Sequence, residues 1–220
     1  MLTTNIFYRT FFLRAGQYGT AFTLDVDGDE FLITAAHLLE SSSKTQVIHI
    51  LRHGQWNRID CELTAAGRGE LDIAVLKLPT RLTNPVFTVE PTFGNCHVGQ
   101  DMYFLGFPYK ISVDYGPIAD GQPGAFLKKG SLSAVLPGPP RVFYIDALNN
   151  EGFSGGPLYF FRNGEVNMPC IAGVVSKYKT ELESVINATG QGTEMKVAYN
   201  TGFLVAYDIA HALQLVRSGA

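Results

Sequence analysis

The sequence predicts an all-β fold closed by a single C-terminal helix, and three observations carry that prediction. Short segments rich in Val, Ile, Thr, Phe and Tyr recur along the 220 residues, broken by Gly, Asn, Asp and Pro, the pattern of a sandwich or barrel. These segments do not alternate with helical ones, as a parallel α/β sheet would require. Helical spacing closes the chain over residues 206–217, where Ile209, Leu213 and Val216 share a face. Asp208 comes early and Arg217 late, which suits the helix dipole.

Residues 7–13 read as a first strand. Residues 20–26 and 30–34 form a predicted hairpin about Asp27-Gly28, a pair that accepts positive φ. Residues 46–51, 58–64 and 73–78 continue the series. Residues 79–92, with Pro79, Pro85 and Pro91, interrupt it and read as a linker. Strands resume at residues 101–107. Residues 109–124 are polar and rich in Gly and Pro, which predicts a surface loop. Further strands are expected at 126–135, 142–146, 157–161, 171–177 and 196–206. The outline is about six strands, a linker, about six more and the terminal helix.

At 46% hydrophobic and 12% aromatic, the chain can bury a substantial core. Charged residues make up only 17%, the net charge is -3 and no basic stripe is present. That argues against nucleic acid or an acidic membrane surface as a partner. No apolar run approaches the roughly 20 residues of a membrane span. Residues 1–9 lack the basic flank, apolar run and small-residue cleavage site of a signal peptide, so a soluble, cytoplasmic protein is expected. Cys61, Cys96 and Cys170 are scattered, with no C-x-x-C pair. Reduced structural thiols are expected rather than a zinc site, with one disulfide as the alternative.

The chemistry concentrates in Asn149-Asn150-Glu151-Gly152-Phe153-Ser154-Gly155-Gly156-Pro157. A serine between glycines on a tight turn is a candidate nucleophile, because a carbonyl substrate can approach and amide N–H groups can converge on it. Far upstream, His37 ends Leu32-Ile33-Thr34-Ala35-Ala36-His37, where two alanines leave the ring open. Asp72 opens Asp72-Ile73-Ala74-Val75-Leu76, whose apolar character predicts a largely buried carboxylate. A buried carboxylate needs a partner, and an imidazole N–H is a suitable one. Together the three residue types support nucleophilic acyl transfer. Asp72 would orient His37, His37 would take the Ser154 proton, and backbone amides would hold the oxyanion.

In the order His, Asp, Ser, the segments Thr34-Ala35-Ala36-His37, Asp72-Ile73-Ala74-Val75-Leu76 and Gly152-Phe153-Ser154-Gly155-Gly156-Pro157 resemble the three signature motifs of trypsin-like (chymotrypsin-fold) serine proteases. Ile145-Asp146-Ala147 and Asn200-Thr201-Gly202-Phe203 are most similar to the HtrA/Deg branch and related bacterial trypsin-like peptidases. The resemblance implies two six-stranded antiparallel β-barrels side by side. Residues 1–90 would carry His37 and Asp72; residues 91–220 would carry Ser154 and the helix. It further implies an oxyanion hole from the Gly152 and Ser154 amides, a hydrogen bond from Ser176 to the triad aspartate, and a substrate strand paired along Lys177 and Tyr178. Leu148, Val175, Ser176, Lys177, Tyr178 and Gly202 would wall the specificity pocket. Nothing charged lies where a trypsin carries its aspartate, which implies an uncharged, small or medium P1 residue. The implied function is a serine endopeptidase acting on protein or peptide, with no cofactor and no metal.

The chain also departs from its relatives. Phe153 stands where secretory members carry the aspartate that receives a freed N-terminus, so activation by N-terminal clipping is not expected. Glu151 lies beside the oxyanion loop, and no PDZ domain follows the protease unit. A free-standing protease is hazardous unless selective or restrained, so a regulatory protein partner is expected. The alternative function is a latent or inactive protease-like module that holds peptides in its cleft and needs a partner for activation. A different enzyme class, the α/β-hydrolase order Ser154, Asp208, His211, needs a helix after the serine, yet Leu158-Tyr159-Phe160-Phe161 is strand-like. Asp25-x-Asp27-Gly28-Asp29 lacks the later ligands of a calcium loop. His49, His53, His97 and His211 share no spacing, and the sequon Asn187-Ala188-Thr189 matters only in a secreted protein.

Overall fold

The computed structural model describes residues 2–39, 43–67, 69–162, 165 and 168–219. After a short helix α1 (Thr4–Tyr8) come β1 (Thr10–Arg14), β2 (Tyr18–Val26), β3 (Asp29–Thr34), β4 (Thr45–Arg52), β5 (Gln55–Ala66) and β6 (Ala74–Lys77). These six strands close into a barrel in the order β1-β2-β3-β6-β5-β4, every pairing antiparallel. Asp27 and Gly28 turn the β2–β3 hairpin at φ 52° and 94°, as the sequence predicts.

β1 to β3 are buried almost throughout because both of their faces are covered. Phe11, Leu13, Ala21, Leu32, Ile48 and Leu76 fill the barrel interior. The alternate residues Phe12, Phe22, Ile33 and Val75 join a second cluster that reaches into the other half of the molecule. Strand side chains alternate faces, so a run apolar at every position marks a strand with something packed on each side.

The second half supplies β7 (Glu90–Pro91), β8 (Asp101–Gly106), β9 (Phe126–Leu136), β10 (Val142–Asp146), β11 (Pro157–Phe160), β12 (Cys170–Ile186), β13 (Gly192–Asp208) and helix α2 (Ile209–Gly219). They form a seven-stranded sheet in the order β11-β8-β9-β10-β13-β12-β7, with an additional β11–β12 pairing. Its own core contains Phe104, Leu132, Phe143, Ile145, Phe153, Leu158 and Leu204. The two halves are welded by Phe12 stacked on Phe107 at 4.6 Å. Leu105, Tyr159, Val174 and Tyr207 pack in the same cluster, as do Ile209, Ala212 and Val216 of α2. Asp208 accepts the Ala210 N–H at 2.9 Å and so starts the helix.

Four features differ from the sequence reading. The predicted first strand begins as helix α1, with Ile6 buried and Tyr8 stacked on Phe87 at 4.5 Å, and the extended chain starts only at Thr10. The predicted linker contains β7, which pairs in parallel with β12. The segment 109–124 is more than a surface loop: buried Gln122 donates to the Thr10 carbonyl at 2.6 Å, tying it to the barrel. β12 and β13 run well beyond their expected ends as an exposed two-stranded ribbon. The sequon lies at its tip, where the Asn187 carboxamide oxygen accepts the Thr189 and Gln191 N–H groups.

Cys61, Cys96 and Cys170 are buried and free. Asp25, part of the weak calcium-like pattern, is engaged by Arg9 and Arg81. Among the described residues, no helix is long and apolar enough to cross a membrane.

Candidate active site

A cleft of about 1650 Å³ is lined from the barrel by Tyr18, His37 and Asp72, and from the second half by Gly152, Ser154, Ser176, Lys177 and Tyr178. His37 lies in a 3-10 turn (Ala36–Leu38) just past β3, and Asp72 lies two residues before β6. β3 and β6 are neighbours in register, Thr34 opposite Ala74. The pairing therefore brings residues 35 positions apart to one rim.

Asp72 binds both ends of His37. Its Oδ2 is 2.7 Å from Nδ1, and its Oδ1 accepts the His37 backbone N–H at 2.9 Å. The ring contact fixes a proton on Nδ1 and leaves Nε2 free to accept one. The buried Ser176 hydroxyl donates to the same Oδ2. Burial by itself would raise the Asp72 pKa, but the hydrogen bonds from His37 and Ser176 outweigh it and hold the carboxyl below its ordinary range. The Asp72 side chain is 19% exposed and the His37 side chain 42%. The imidazole is open to the cleft while its carboxylate partner is largely covered.

The Ser154 hydroxyl donates to the Ser176 carbonyl at 2.7 Å. No hydrogen bond to His37 joins it among the described residues. Gly152 and Gly155 have φ 98° and 82°, and both are pressed onto backbone. A Cβ on Gly155 would lie 2.1 Å from the Thr20 carbonyl oxygen, and one on Gly152 would lie 2.1 Å from that of Phe107. Only glycine meets both demands. The turn is anchored by Thr20, whose hydroxyl donates to the Gly152 carbonyl at 2.7 Å and whose N–H donates to the Ser154 carbonyl at 2.9 Å. The Gly152 and Ser154 N–H groups, by contrast, have no acceptor among the described residues. Unpaired amides beside a nucleophile are the arrangement an oxyanion requires.

Of the residues expected to wall the specificity pocket, Ser176, Lys177 and Tyr178 line the cleft, and Leu148, Val175 and Gly202 do not. Val175 is buried and its backbone pairs with Gly155 and Gly156. Leu148 is exposed, and the Gly202 carbonyl accepts the Ala147 N–H at 2.9 Å. Phe153 is fully buried in the second core. Asp208 and His211, members of the α/β-hydrolase alternative, both engage Arg141 instead, the carboxylate taking its guanidinium and the ring nitrogen its backbone N–H. The sequence reading missed Tyr207, whose hydroxyl donates to the Glu70 carbonyl on the loop leading to Asp72. It also missed Lys128 and Tyr109, which hold the loop before Ser154. None of the three lies in a motif, and only the folded arrangement reveals them.

Residues 19–166 match the family description of a trypsin-like peptidase domain. No curated protein matches the chain. Among solved structures, the HtrA-type protease AlgW with a tripeptide is similar over 98% of this chain and 61% of its own, at TM-score 0.60 and 18% identity. A serine-to-alanine form of AlgW with a tripeptide gives TM-score 0.61 and 16% identity over the same shares. The inactive form of a serine-to-alanine mutant of Rv3671c from M. tuberculosis is similar over 97% of this chain and 87% of that one, at TM-score 0.58 and 16% identity. At such identities the likeness is one of fold, and this chain spans 61% of the AlgW chain.

Proposed function

The chain belongs to the family of trypsin-like peptidase domains, and from that membership we propose that it is a serine endopeptidase. One observation carries the reading: a nucleophile candidate, Ser154, shares a cleft with a His37–Asp72–Ser176 network and two unpaired amides. In the proposed reaction Ser154 Oγ bonds to the scissile carbonyl carbon and its proton passes to His37 Nε2. Asp72 holds the resulting imidazolium, and the Gly152 and Ser154 N–H groups hold the oxyanion. The C–N bond then breaks, the leaving amine takes the proton from His37, and water hydrolyses the acyl-enzyme by the same route in reverse.

The remaining parts of the reading follow from the same frame. The additional β11–β12 pairing links six strands of the second sheet into a ring, which supports a second barrel, residues 91–220, beside a first of 1–90. The edge at Ser176, Lys177 and Tyr178 lines the cleft and would pair with an extended protein or peptide substrate, with an uncharged, small or medium P1 residue. The three free thiols fit a reducing, cytoplasmic setting.

A second reading is a latent, peptide-holding form that a regulatory partner switches on. It is favoured by the Ser154 hydroxyl, which rests on the Ser176 carbonyl instead of His37. Labelling with a fluorophosphonate, read by peptide mapping, separates the two. Stoichiometric label on Ser154, absent in Ser154→Ala, together with a fall in kcat of roughly 10⁴-fold in that variant, is expected of the enzyme. A folded wild-type protein that takes no label would refute constitutive activity.

A further inference from the structure

The loop that presents Gly152 and Ser154 is fastened from outside at the carbonyls of Leu148, Asn149, Glu151 and Gly152 and at the side chain of Asn150. Asn200 donates to the Asn149 carbonyl at 2.6 Å. The Tyr109 N–H reaches the Glu151 carbonyl at 3.4 Å, and Thr20 and Phe107 hold that of Gly152. The Leu148 carbonyl and the Asn150 carboxamide oxygen both go to one group, the ammonium of Lys128, which arrives from β9 and donates to the former at 2.6 Å. With its oxygen so held, Asn150 turns its amide N–H to the Tyr109 hydroxyl at 2.9 Å. The same ammonium lies 5.2 Å from the centroid of the Phe153 ring, the residue immediately before the nucleophile.

Lys128 is the only charged side chain in this set, and among the described residues it has no carboxylate partner. Its neighbour Lys129, on the other face of the strand, pairs with Asp101 in the ordinary way. An ammonium carries three donors and no acceptor, so it can hold a carbonyl, a carboxamide oxygen and a ring face at once. A neutral side chain of equal length holds none of them. Burial pushes the Lys128 ammonium below the usual lysine range, the mark of a cation partly withdrawn from water, where charge-assisted bonds are strongest.

We propose that Lys128 is a positioning residue for hydrolysis, which keeps residues 148–153 in the shape that aims the Gly152 and Ser154 N–H groups at the cleft. The inference rests on the serine-protease reading. Lys128 acts through Asn150, Leu148 and Phe153, not on substrate.

The test compares Lys128→Met with Lys129→Met in the full chain. Lys128→Met is expected to lower kcat and the rate of fluorophosphonate labelling by about 10- to 100-fold, the scale of an ångström of misplacement, with KM within about threefold. A peptide boronate, whose tetrahedral oxygen needs the two N–H groups, should lose affinity by the same factor. Binding of the parent peptide, measured in the Ser154→Ala background, should not change. Hydrogen exchange should quicken in residues 148–154 and stay as it was elsewhere, and Lys129→Met should match wild type throughout. Wild-type kcat and boronate affinity in Lys128→Met would overturn the proposal, and so would equal losses of boronate and parent-peptide binding. A wild-type protein that neither labels nor cleaves would overturn the protease reading instead. In that event unchanged exchange at 148–154 in Lys128→Met would show that Lys128 does not hold the loop either.

Discussion

Replacing Gly152 by alanine tests the oxyanion assignment most directly. At φ 98° any Cβ is strained, by roughly 1–2 kcal/mol. The added methyl would also lie 2.1 Å from the Phe107 carbonyl oxygen, 2.8 Å from its carbon and 3.0 Å from Pro108 Cα. All three are backbone atoms, so no rotamer change relieves the clash. Ordinary contact requires a shift of about 1 Å or more, and the Gly152 N–H moves with it. Loss of one oxyanion donor lowers kcat by about 10²–10³-fold, or about 2.7–4 kcal/mol. Gly99 provides the control: its φ is 90° and a Cβ there meets nothing within 4 Å. Gly99→Ala should therefore lose about the same 1–2 kcal/mol of stability and keep its rate. The assay is steady-state peptide hydrolysis beside urea denaturation of each variant. An unchanged kcat in Gly152→Ala, or an equal loss in both variants, would refute the reasoning.

Two further outcomes follow from side chains already described. Asp72→Asn should lower kcat by about 10⁴-fold, because the amide disturbs the tautomer that leaves Nε2 free. In the wild type the depressed Asp72 pKa contributes stability above the ordinary carboxylate range, and that share is lost as pH falls through its folded value. Denaturation midpoints from about pH 6 down to about pH 2 should thus fall less steeply in Asp72→Asn; parallel slopes would count against the linkage. Arg9→Met should cost about 3–5 kcal/mol in urea denaturation. Arg9 is 1% exposed and serves the Thr23 and Phe87 carbonyls as well as Asp25. The same change at Arg81, at the surface end of the Asp25 pair, should cost under about 1 kcal/mol.

Strands β1 to β3 were legible because their burial on two faces leaves a continuous apolar signature, as in Phe31-Leu32-Ile33. That His37, Asp72 and Ser154 would face one cleft was legible because each lies in a segment whose neighbours are constrained by backbone packing. Helix α1 was not, since Ile6, Phe7 and Tyr8 suit a strand equally well by composition and are helical through contacts with Phe87 and Tyr115 far along the chain. The outer part of the ribbon, residues 178–186 of β12 and 192–195 of β13, escaped notice because its residues are largely exposed and show no buried stripe to read. The pocket walls proposed at Leu148, Val175 and Gly202 illustrate a related limit. Position in a motif gives a residue's place along the backbone, whereas lining a cleft depends on how neighbouring loops fill space.

The resting place of the Ser154 hydroxyl has a consequence for turnover. The Ser176 carbonyl that it occupies lies on the strand edge where substrate backbone would pair. On the serine-protease reading, a substrate amide pairing there would share that oxygen with the hydroxyl and draw on the same acceptor. A peptide N–H arriving there would weaken the hydroxyl's hydrogen bond and favour its release toward His37, so that on this reading substrate would free the group proposed to attack it. Methylating that single peptide nitrogen removes the donor and leaves the scissile bond untouched. Acylation should slow in the methylated peptide beyond any loss of binding, and equal single-turnover rates at saturation would show that no such release occurs.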